Sequence, residues 1–183
     1  MNMRFLPFAV AAAFATFIAP DVEAQLPAAT EVAPGHLPRA DVEFILGANS
    51  ANIAQIAMGH AAEGQGTNPG VIALGTRVAS SHNKAEQGLR LVASRKHVDL
   101  PSETNADDHA EIAQLHSLPA GGQFDTQYVN NVIRDGDRMI VLYEAARNES
   151  IDPDIRQYAD TMLPTLRDNR NQAQALVDQR LGN

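Results

Sequence analysis

Four stretches of the chain repeat apolar residues at alternating steps of three and four positions. Each such step returns to the same face of an α-helix, so each stretch is predicted to be an amphipathic helix. The four stripes run through Phe44, Ala48, Ala51, Gln55, Met58 and Ala62; Val71, Gly75, Val78, His82, Ala85, Leu89 and Val92; Val129, Ile133, Gly136, Ile140 and Tyr143; and Ile155, Ala159, Met162, Leu166, Asn169, Ala173 and Leu176. No segment has the two-residue period of a half-buried strand, and the chain is therefore predicted to be all-α.

The four stripes predict how the helices assemble. An amphipathic helix must bury its apolar face, and four of them can do so against one another, which is the logic of a helix bundle. We therefore predict a four-helix bundle domain over residues 40–180. Residues 97–123 separate the second and third of these helices, and a crossover of that length allows the two to run parallel, as in ferritin-like topologies.

Capping residues predict where several helices begin. Asn68-Pro69 and Asp152-Pro153 each place a capping side chain directly before a proline at the first helical position. Asp125, after Gly121-Gly122, is expected to be the N-cap of the third long helix. A short helix is expected inside the crossover, with its capping residue at Thr104.

The first 24 residues have the layout of a secretory signal peptide. Arg4 precedes an apolar run over residues 5–19, and Val22-Glu23-Ala24 forms a cleavage site before Gln25. The run is shorter than the roughly 20 residues that a membrane span needs, although an uncleaved anchor is the alternative interpretation. Residues 25–39 hold several prolines and no period, which predicts a flexible leader. After cleavage near Ala24 the protein is expected to be soluble and periplasmic or otherwise exported.

Composition narrows the classes of function. The chain has 14 Lys and Arg against 22 Asp and Glu, a formal net charge of −8. This balance repels phosphate backbones, so nucleic acid is excluded as a partner. Because there is no cysteine, neither disulfides nor thiol chemistry can operate. The core must therefore form from ordinary apolar side chains.

Three segments of the chain resemble a known bacterial family. They are Phe124-Asp125-Thr126-Gln127-Tyr128, Leu163-Pro164-Thr165-Leu166, and Ser80-Ser81-His82-Asn83-Lys84. With the exported N-terminus, they resemble the exported ferritin-like domain family of unknown function, whose members are often labelled outer-membrane proteins. The resemblance covers about residues 40–178 and implies a ferritin-like bundle in the periplasm. Members of that family typically carry Glu, His, His and His at four core positions, which in this chain hold Gln55, His82, Gly136 and Asn169.

The departures from the family pattern predict that any inherited metal site is lost. Transition-metal sites normally use three or four donors such as imidazole or carboxylate. Gln55 is a weak neutral ligand, Gly136 has no side chain, and Asn169 offers only an amide oxygen. We therefore expect no cofactor, with His82 as a vestigial metal ligand, and keep iron or another transition metal as the alternative. Gln55, His82 and Asn169 are instead expected to form a hydrogen-bonded polar cluster in the core.

Other candidate groups favour structural roles, and no catalytic residue is identified. Three tyrosines are expected to pack with their hydroxyls at the edge of the bundle, namely Tyr128, Tyr143 and Tyr158. An acidic, histidine-containing cluster on the crossover is interpreted as solvated, and it consists of Asp107, Asp108, His109, Glu111 and His116.

Two functional interpretations follow from these residues. The preferred one is a non-catalytic periplasmic or exported helical-bundle protein that binds an envelope component or contributes to stress tolerance. The alternative is a ferritin-like metal-binding protein or oxidoreductase with a reduced site around His82. The expected partners are an envelope component and a second copy of the chain. The residues indicate neither a specific ligand nor a reaction.

Overall fold

The structure is a computed structural model that describes residues 37–181. This part of the chain forms five helices: α1 (Arg39–Gln65), α2 (Pro69–Lys96), α3 (Ala106–His116), α4 (Gly122–Glu149) and α5 (Pro153–Leu181). No strand occurs between residues 37 and 181, so the prediction of an all-α chain is confirmed. None of the helices in this range combines the length and apolarity needed to cross a membrane. The predicted signal peptide, residues 1–24, and the predicted leader up to residue 36 lie outside the described residues.

The four long helices pack side by side in a closed cycle. Both α1 and α5 pack against α2 and against α4. The short turns at residues 66–68 and 150–152 reverse the chain within the pairs α1–α2 and α4–α5. The pairs α1–α4 and α2–α5 are also antiparallel, since residues later in one helix contact residues earlier in the other. Consequently α2 and α4 run parallel, and the connection between them carries α3.

The apolar core consists of two clusters along the length of the long helices. One cluster gathers around Phe44, Tyr143 and Ile155, and the other around Val71 and Phe124. On each long helix, a buried polar residue lies between the segment that packs in one apolar cluster and the segment that packs in the other. These residues are Asn52, His82, Asp135 and Asn169. A polar layer therefore separates the two apolar clusters.

The predicted stripes agree with burial on three helices and differ on the fourth. The stripes of α1, α2 and α5 are buried or partly buried throughout. On α4 the predicted residues Ile133, Gly136 and Ile140 are only half-buried, while Val132, Asp135 and Met139 are buried. The true core face lies one position away from the predicted stripe. The sequence pattern did not indicate this face because Asp135, a charged residue, interrupts its apolar positions. Asp135 rather than Gly136 is thus the buried polar position of α4.

The predicted helix starts are partly confirmed. The Asn68 side chain accepts the Gly70 N–H at 2.8 Å, and Asp152 accepts the Asp154 N–H at 2.9 Å, as expected of capping residues. The predicted cap of α3 at Thr104 is wrong, because the neighbouring Asn105 accepts the N–H of Asp108.

The predicted cap of α4 at Asp125 is also wrong. This helix begins at Gly122, and Gly121 precedes it with φ +134°, a conformation open to glycine. Asp125 therefore already lies within the first turn of the helix.

Candidate functional site

Asp125 acts as a clamp on the turn between α1 and α2. The residue is 2% exposed, and its carboxylate accepts the Thr67 N–H at 3.0 Å, the Thr67 hydroxyl at 2.8 Å and the Asn68 N–H at 3.0 Å. The neighbouring Phe124 and Tyr128 rings are buried and stack with centroids 6.4 Å apart. The Phe-Asp-x-x-Tyr segment therefore has a structural role, because it ties α4 to the turn between α1 and α2.

A buried hydrogen-bond network joins all four long helices. His82 Nδ1 on α2 lies 2.9 Å from Asn52 Oδ1 on α1, and Asn52 Nδ2 lies 3.5 Å from the Tyr158 hydroxyl on α5. The Tyr158 hydroxyl donates to the Ala85 carbonyl at 3.1 Å and lies 3.3 Å from the Tyr143 hydroxyl on α4. We call His82, Asn52, Tyr158 and Tyr143 the core network. The sequence pattern did not indicate Asn52 as a site residue, although it lies three residues before Gln55 on the same face of the helix.

The core network is uncharged at neutral pH. Burial lowers the pKa of His82 from 6.5 to about 4, because a positive imidazolium would lose its hydration. Burial also raises the pKa values of Tyr143 and Tyr158 above the ordinary tyrosine value. The expectation that tyrosine hydroxyls lie at the bundle edge is wrong, since Tyr128 and Tyr143 are fully buried. Their rings fill the core between helices, where Tyr143 packs edge-on against Phe44 at 5.1 Å.

The residues of the predicted polar cluster are all buried, and each has a different hydrogen-bond partner. Gln55 Nε2 donates to Asp135 Oδ2 at 3.0 Å, and Asn169 Nδ2 donates to the Ser81 hydroxyl at 2.9 Å. His82 bonds to Asn52, as described above. The fourth family position, Gly136, lies against α5, where an added Cβ would be 3.0 Å from the Cβ of Arg170.

These four positions do not fit iron or another transition metal. The amide side chains of Gln55 and Asn169 are weak ligands, and both are engaged in hydrogen bonds. Gly136 supplies no donor, and Arg170 occupies the space that a side chain there would need. His82 is left as a single imidazole. Within the described part of the chain, no three His, Asp or Glu side chains are grouped so as to hold one ion.

A second polar cluster holds α3 against α4. Arg134 and Arg138 each form ion pairs with both Glu111 and Asp135, and the Arg138–Asp135 distance is 2.7 Å. Burial, followed by repulsion from Asp135, raises the pKa of Glu111 to about 7. Since both carboxylates are matched by guanidinium groups, this cluster is suited to holding two helices together.

The crossover cluster predicted as solvated is divided by the structure. Asp107, His109 and His116 are exposed, as expected. Glu111 belongs to the α3–α4 cluster, and Asp108 accepts a hydrogen bond from the Ser50 hydroxyl on α1. The sequence gives no signal of these two contacts, because both partners are distant along the chain.

A groove of about 710 Å³ runs along the surface between α2 and α5, lined by residues between Ala73 and Gly88 and between Tyr158 and Thr165. We call it the α2–α5 groove. Its lining includes hydroxyl groups, the cations Arg77 and Lys84, and no aspartate or glutamate. Tyr158 belongs both to this lining and to the core network. The groove is thus the place where the core network meets the surface.

Comparison with known proteins gives a family and a fold without an activity. No curated protein matches the chain. The crystal structure of a DUF305 fragment from Deinococcus radiodurans is similar with a TM-score of 0.68 and 15% identity, covering 79% of this chain and 99% of that one. That likeness concerns the fold alone. The sequence model of one family matches residues 26–176, and the chain therefore belongs to that family, the Domain of unknown function (DUF4142).

Proposed function

We propose that the protein is an exported, non-catalytic ferritin-like four-helix bundle that binds a small molecule of the cell envelope in the α2–α5 groove. The groove is the observation that carries this proposal. Its volume of about 710 Å³ suits a small molecule, and its lining combines apolar surface with a few polar groups. Holding such a molecule would also allow a contribution to stress tolerance.

The ferritin-like arrangement is supported by the directions of the helices. The parallel pair α2 and α4 is joined by the long connection that carries α3, and this is the role of a crossover in ferritin-like bundles. We propose only the helix arrangement of ferritin-like proteins and no iron site, because the side chains at the matching positions are unsuitable as metal ligands.

Export is proposed from the pattern of residues 1–24, and one experiment tests it. The full chain is expressed in a Gram-negative host, and the protein recovered from the periplasm is expected to begin at Gln25. Protein that stays in the cytoplasm and keeps Met1 would overturn this part of the proposal.

The non-catalytic character is supported by how the buried polar side chains are used. His82, Gln55 and Asn169 each form a hydrogen bond with another side chain of the described core. Groups fixed in this way hold helices together and are poorly placed to act on a substrate. This reading is tested by elemental analysis of the protein and of His82→Ala after exposure to iron, zinc, copper and manganese. Stoichiometric metal that disappears in the variant would favour the metalloprotein alternative instead.

Binding in the groove is tested with two matched tryptophan variants. Thr161 lines the groove and Thr126 lies on α4 outside it, and each is an exposed helical threonine whose hydroxyl donates to the carbonyl four residues earlier. Periplasmic small molecules are passed over immobilised protein, and the bound fraction is analysed by mass spectrometry. We expect the parent and Thr126→Trp to retain a molecule that Thr161→Trp does not. Equal retention by both variants, or retention of nothing, would overturn the proposal.

A further inference from the structure

The α2–α5 groove differs in charge from the protein around it. The chain carries a formal net charge of −8, yet no acidic side chain lines the groove and two cations do. A cavity of about 210 Å³ between α1, α3 and α4 is lined instead by three carboxylates, Asp107, Asp108 and Asp135, against one cation, Arg138. Because the sign of the charges lining a cleft selects the sign of the ligand, the groove favours an anion.

Lys84 is the cation in the groove that is available to a ligand. Arg77 is already paired, with its Nη1 atom 3.0 Å from Asp168 Oδ2. The other lysine of the described region, Lys96, lies 2.6 Å from Asp152 and 2.8 Å from Asp154. Among residues 37–181, no carboxylate forms an ion pair with Lys84. A single ammonium group is therefore left to face the groove.

Ser80 lines the same groove one helical turn before Lys84 and brings a hydroxyl to it. Ser80 and Lys84 are four residues apart on α2 and lie on the same face of the helix, one turn from each other. The hydroxyls of Ser81 and Thr161 already donate to backbone carbonyls of their own helices. The Ser80 hydroxyl forms no such bond in the described structure. A hydroxyl and an ammonium group together match the two oxygens of a carboxylate.

The apolar part of the groove lies across from Lys84 on α5. Met162 is half-buried and lines the groove beside the Tyr158 ring. Gly88 faces the same ring, and an added Cβ would come within 3.3 Å of Tyr158 Cε2. The glycine therefore lets α2 pack closely on the ring, so Tyr158 is 7% exposed and only its accessible part lines the groove. Methionine adapts its shape to different apolar partners, which suits a flexible hydrocarbon chain.

We propose that the α2–α5 groove binds a small monocarboxylate with an apolar body. Lys84 and Ser80 bind the carboxylate, while Met162 and the small accessible part of the Tyr158 ring contact the apolar body. This inference rests on the proposed function and specifies the class of its ligand. One unpaired cation on an acidic protein favours a single negative charge over a phosphate group, which carries more.

The test uses octanoate and 1-octanol as probes of the protein purified after expression of the full chain, with dissociation constants measured by calorimetry. Lys84→Met removes the charge and keeps an unbranched side chain of similar length, while Lys84→Arg keeps the charge. Since Lys84 is exposed and unpaired, both variants are expected to unfold at the temperature of the parent. We expect Lys84→Met to weaken octanoate binding at least tenfold, Lys84→Arg to restore most of it, and 1-octanol binding to stay unchanged. Added salt should weaken the binding of octanoate and leave that of 1-octanol unaffected.

The outcomes separate this inference from the proposal on which it rests. Equal affinity of the parent and Lys84→Met for octanoate would overturn the carboxylate assignment. If 1-octanol then still binds and Thr161→Trp abolishes its binding, the groove remains a binding site for neutral molecules. If neither probe binds and no periplasmic molecule is retained, both proposals are wrong.

Discussion

Replacing Asp125 with alanine is the sharpest test of the structural role given to the Phe-Asp-x-x-Tyr segment. The substitution removes an acceptor of three hydrogen bonds, two of them from the backbone N–H groups of Thr67 and Asn68. Hydrogen bonds to a charged group contribute about 1.5–3 kcal/mol each, and donors left unpaired in a partly buried turn add to the loss. Thr67 is exposed, so water can replace part of what is lost.

Three such bonds sum to roughly 4.5–9 kcal/mol. Because water replaces part of them, we expect Asp125→Ala to lower the free energy of unfolding by about 3–4 kcal/mol, which is less than that sum. In a domain of this size, such a loss lowers the melting temperature by roughly 6–16 °C. Urea unfolding followed by circular dichroism at 222 nm should show a lower midpoint with an unchanged m-value, because the folded core is the same.

Two controls decide whether the lost hydrogen bonds of Asp125 cause the lower stability of Asp125→Ala. Asp137→Ala breaks a surface ion pair with Arg170, whose atoms lie 2.9 Å apart, and it should cost less than about 1 kcal/mol. Thr67→Val removes only the hydroxyl bond to Asp125, so its effect should largely vanish in the Asp125→Ala background. The reasoning would be refuted if Asp125→Ala lowered the free energy of unfolding no more than Asp137→Ala does. It would also be refuted if the effects of Asp125→Ala and Thr67→Val on this free energy were fully additive.

Three further predictions concern packing and pH. Gly75→Ala should destabilise the protein by about 1–3 kcal/mol in thermal unfolding, because its Cβ would lie 2.7 Å from Ala62 Cβ and 2.8 Å from the Gly59 carbonyl. Gly64→Ala meets nothing within 4 Å and should instead stabilise it by about 0.5–1 kcal/mol, so the opposite order would contradict the packing of α1 on α2. His82 has a folded pKa of about 4, below its ordinary 6.5, so the unfolded chain binds the proton first as the pH falls. The free energy of unfolding should therefore drop from pH 6.5 to 4, on the order of 3 kcal/mol more than in His82→Asn, and parallel pH profiles would argue against a buried neutral His82. Glu111 has a folded pKa of about 7, above its ordinary 4.5, so its contribution is lost as the pH rises from 4.5 to 7. Glu111→Gln should be less sensitive to pH in that window, and a steeper profile would contradict the raised pKa.

The sequence predicts most of the helices because burial imposes a period on them. On α1, α2 and α5 the stripe of apolar residues coincides with the buried face. On α4 two candidate stripes lie one position apart, and the one through Ile133 and Gly136 contains no charged residue, while the true one includes Asp135. Sequence reasoning prefers the uncharged stripe, since it cannot know that Gln55 on another helix is placed to bond with Asp135.

The candidate site is predictable only in part for the same reason. Burial of His82 follows from its place in an apolar stripe, but its partner does not. Gln55 and Asn169 are equally plausible partners by residue type, and the structure pairs His82 with Asn52. The α2–α5 groove has no signal in the sequence, because its two sides come from segments that contact each other only after folding.

By itself, the sequence determined the helical class, the approximate extent of the long helices and the presence of a signal-like N-terminal segment. These depend on local properties, namely periodicity, capping residues and runs of apolar residues. The tertiary structure alone decided that Asp125 clamps a distant turn, that the core network joins four helices, and that Lys84 faces a groove without a carboxylate partner. Each of these depends on which atoms come within a few ångströms of each other across helices, and the order of residues along the chain does not encode those distances locally.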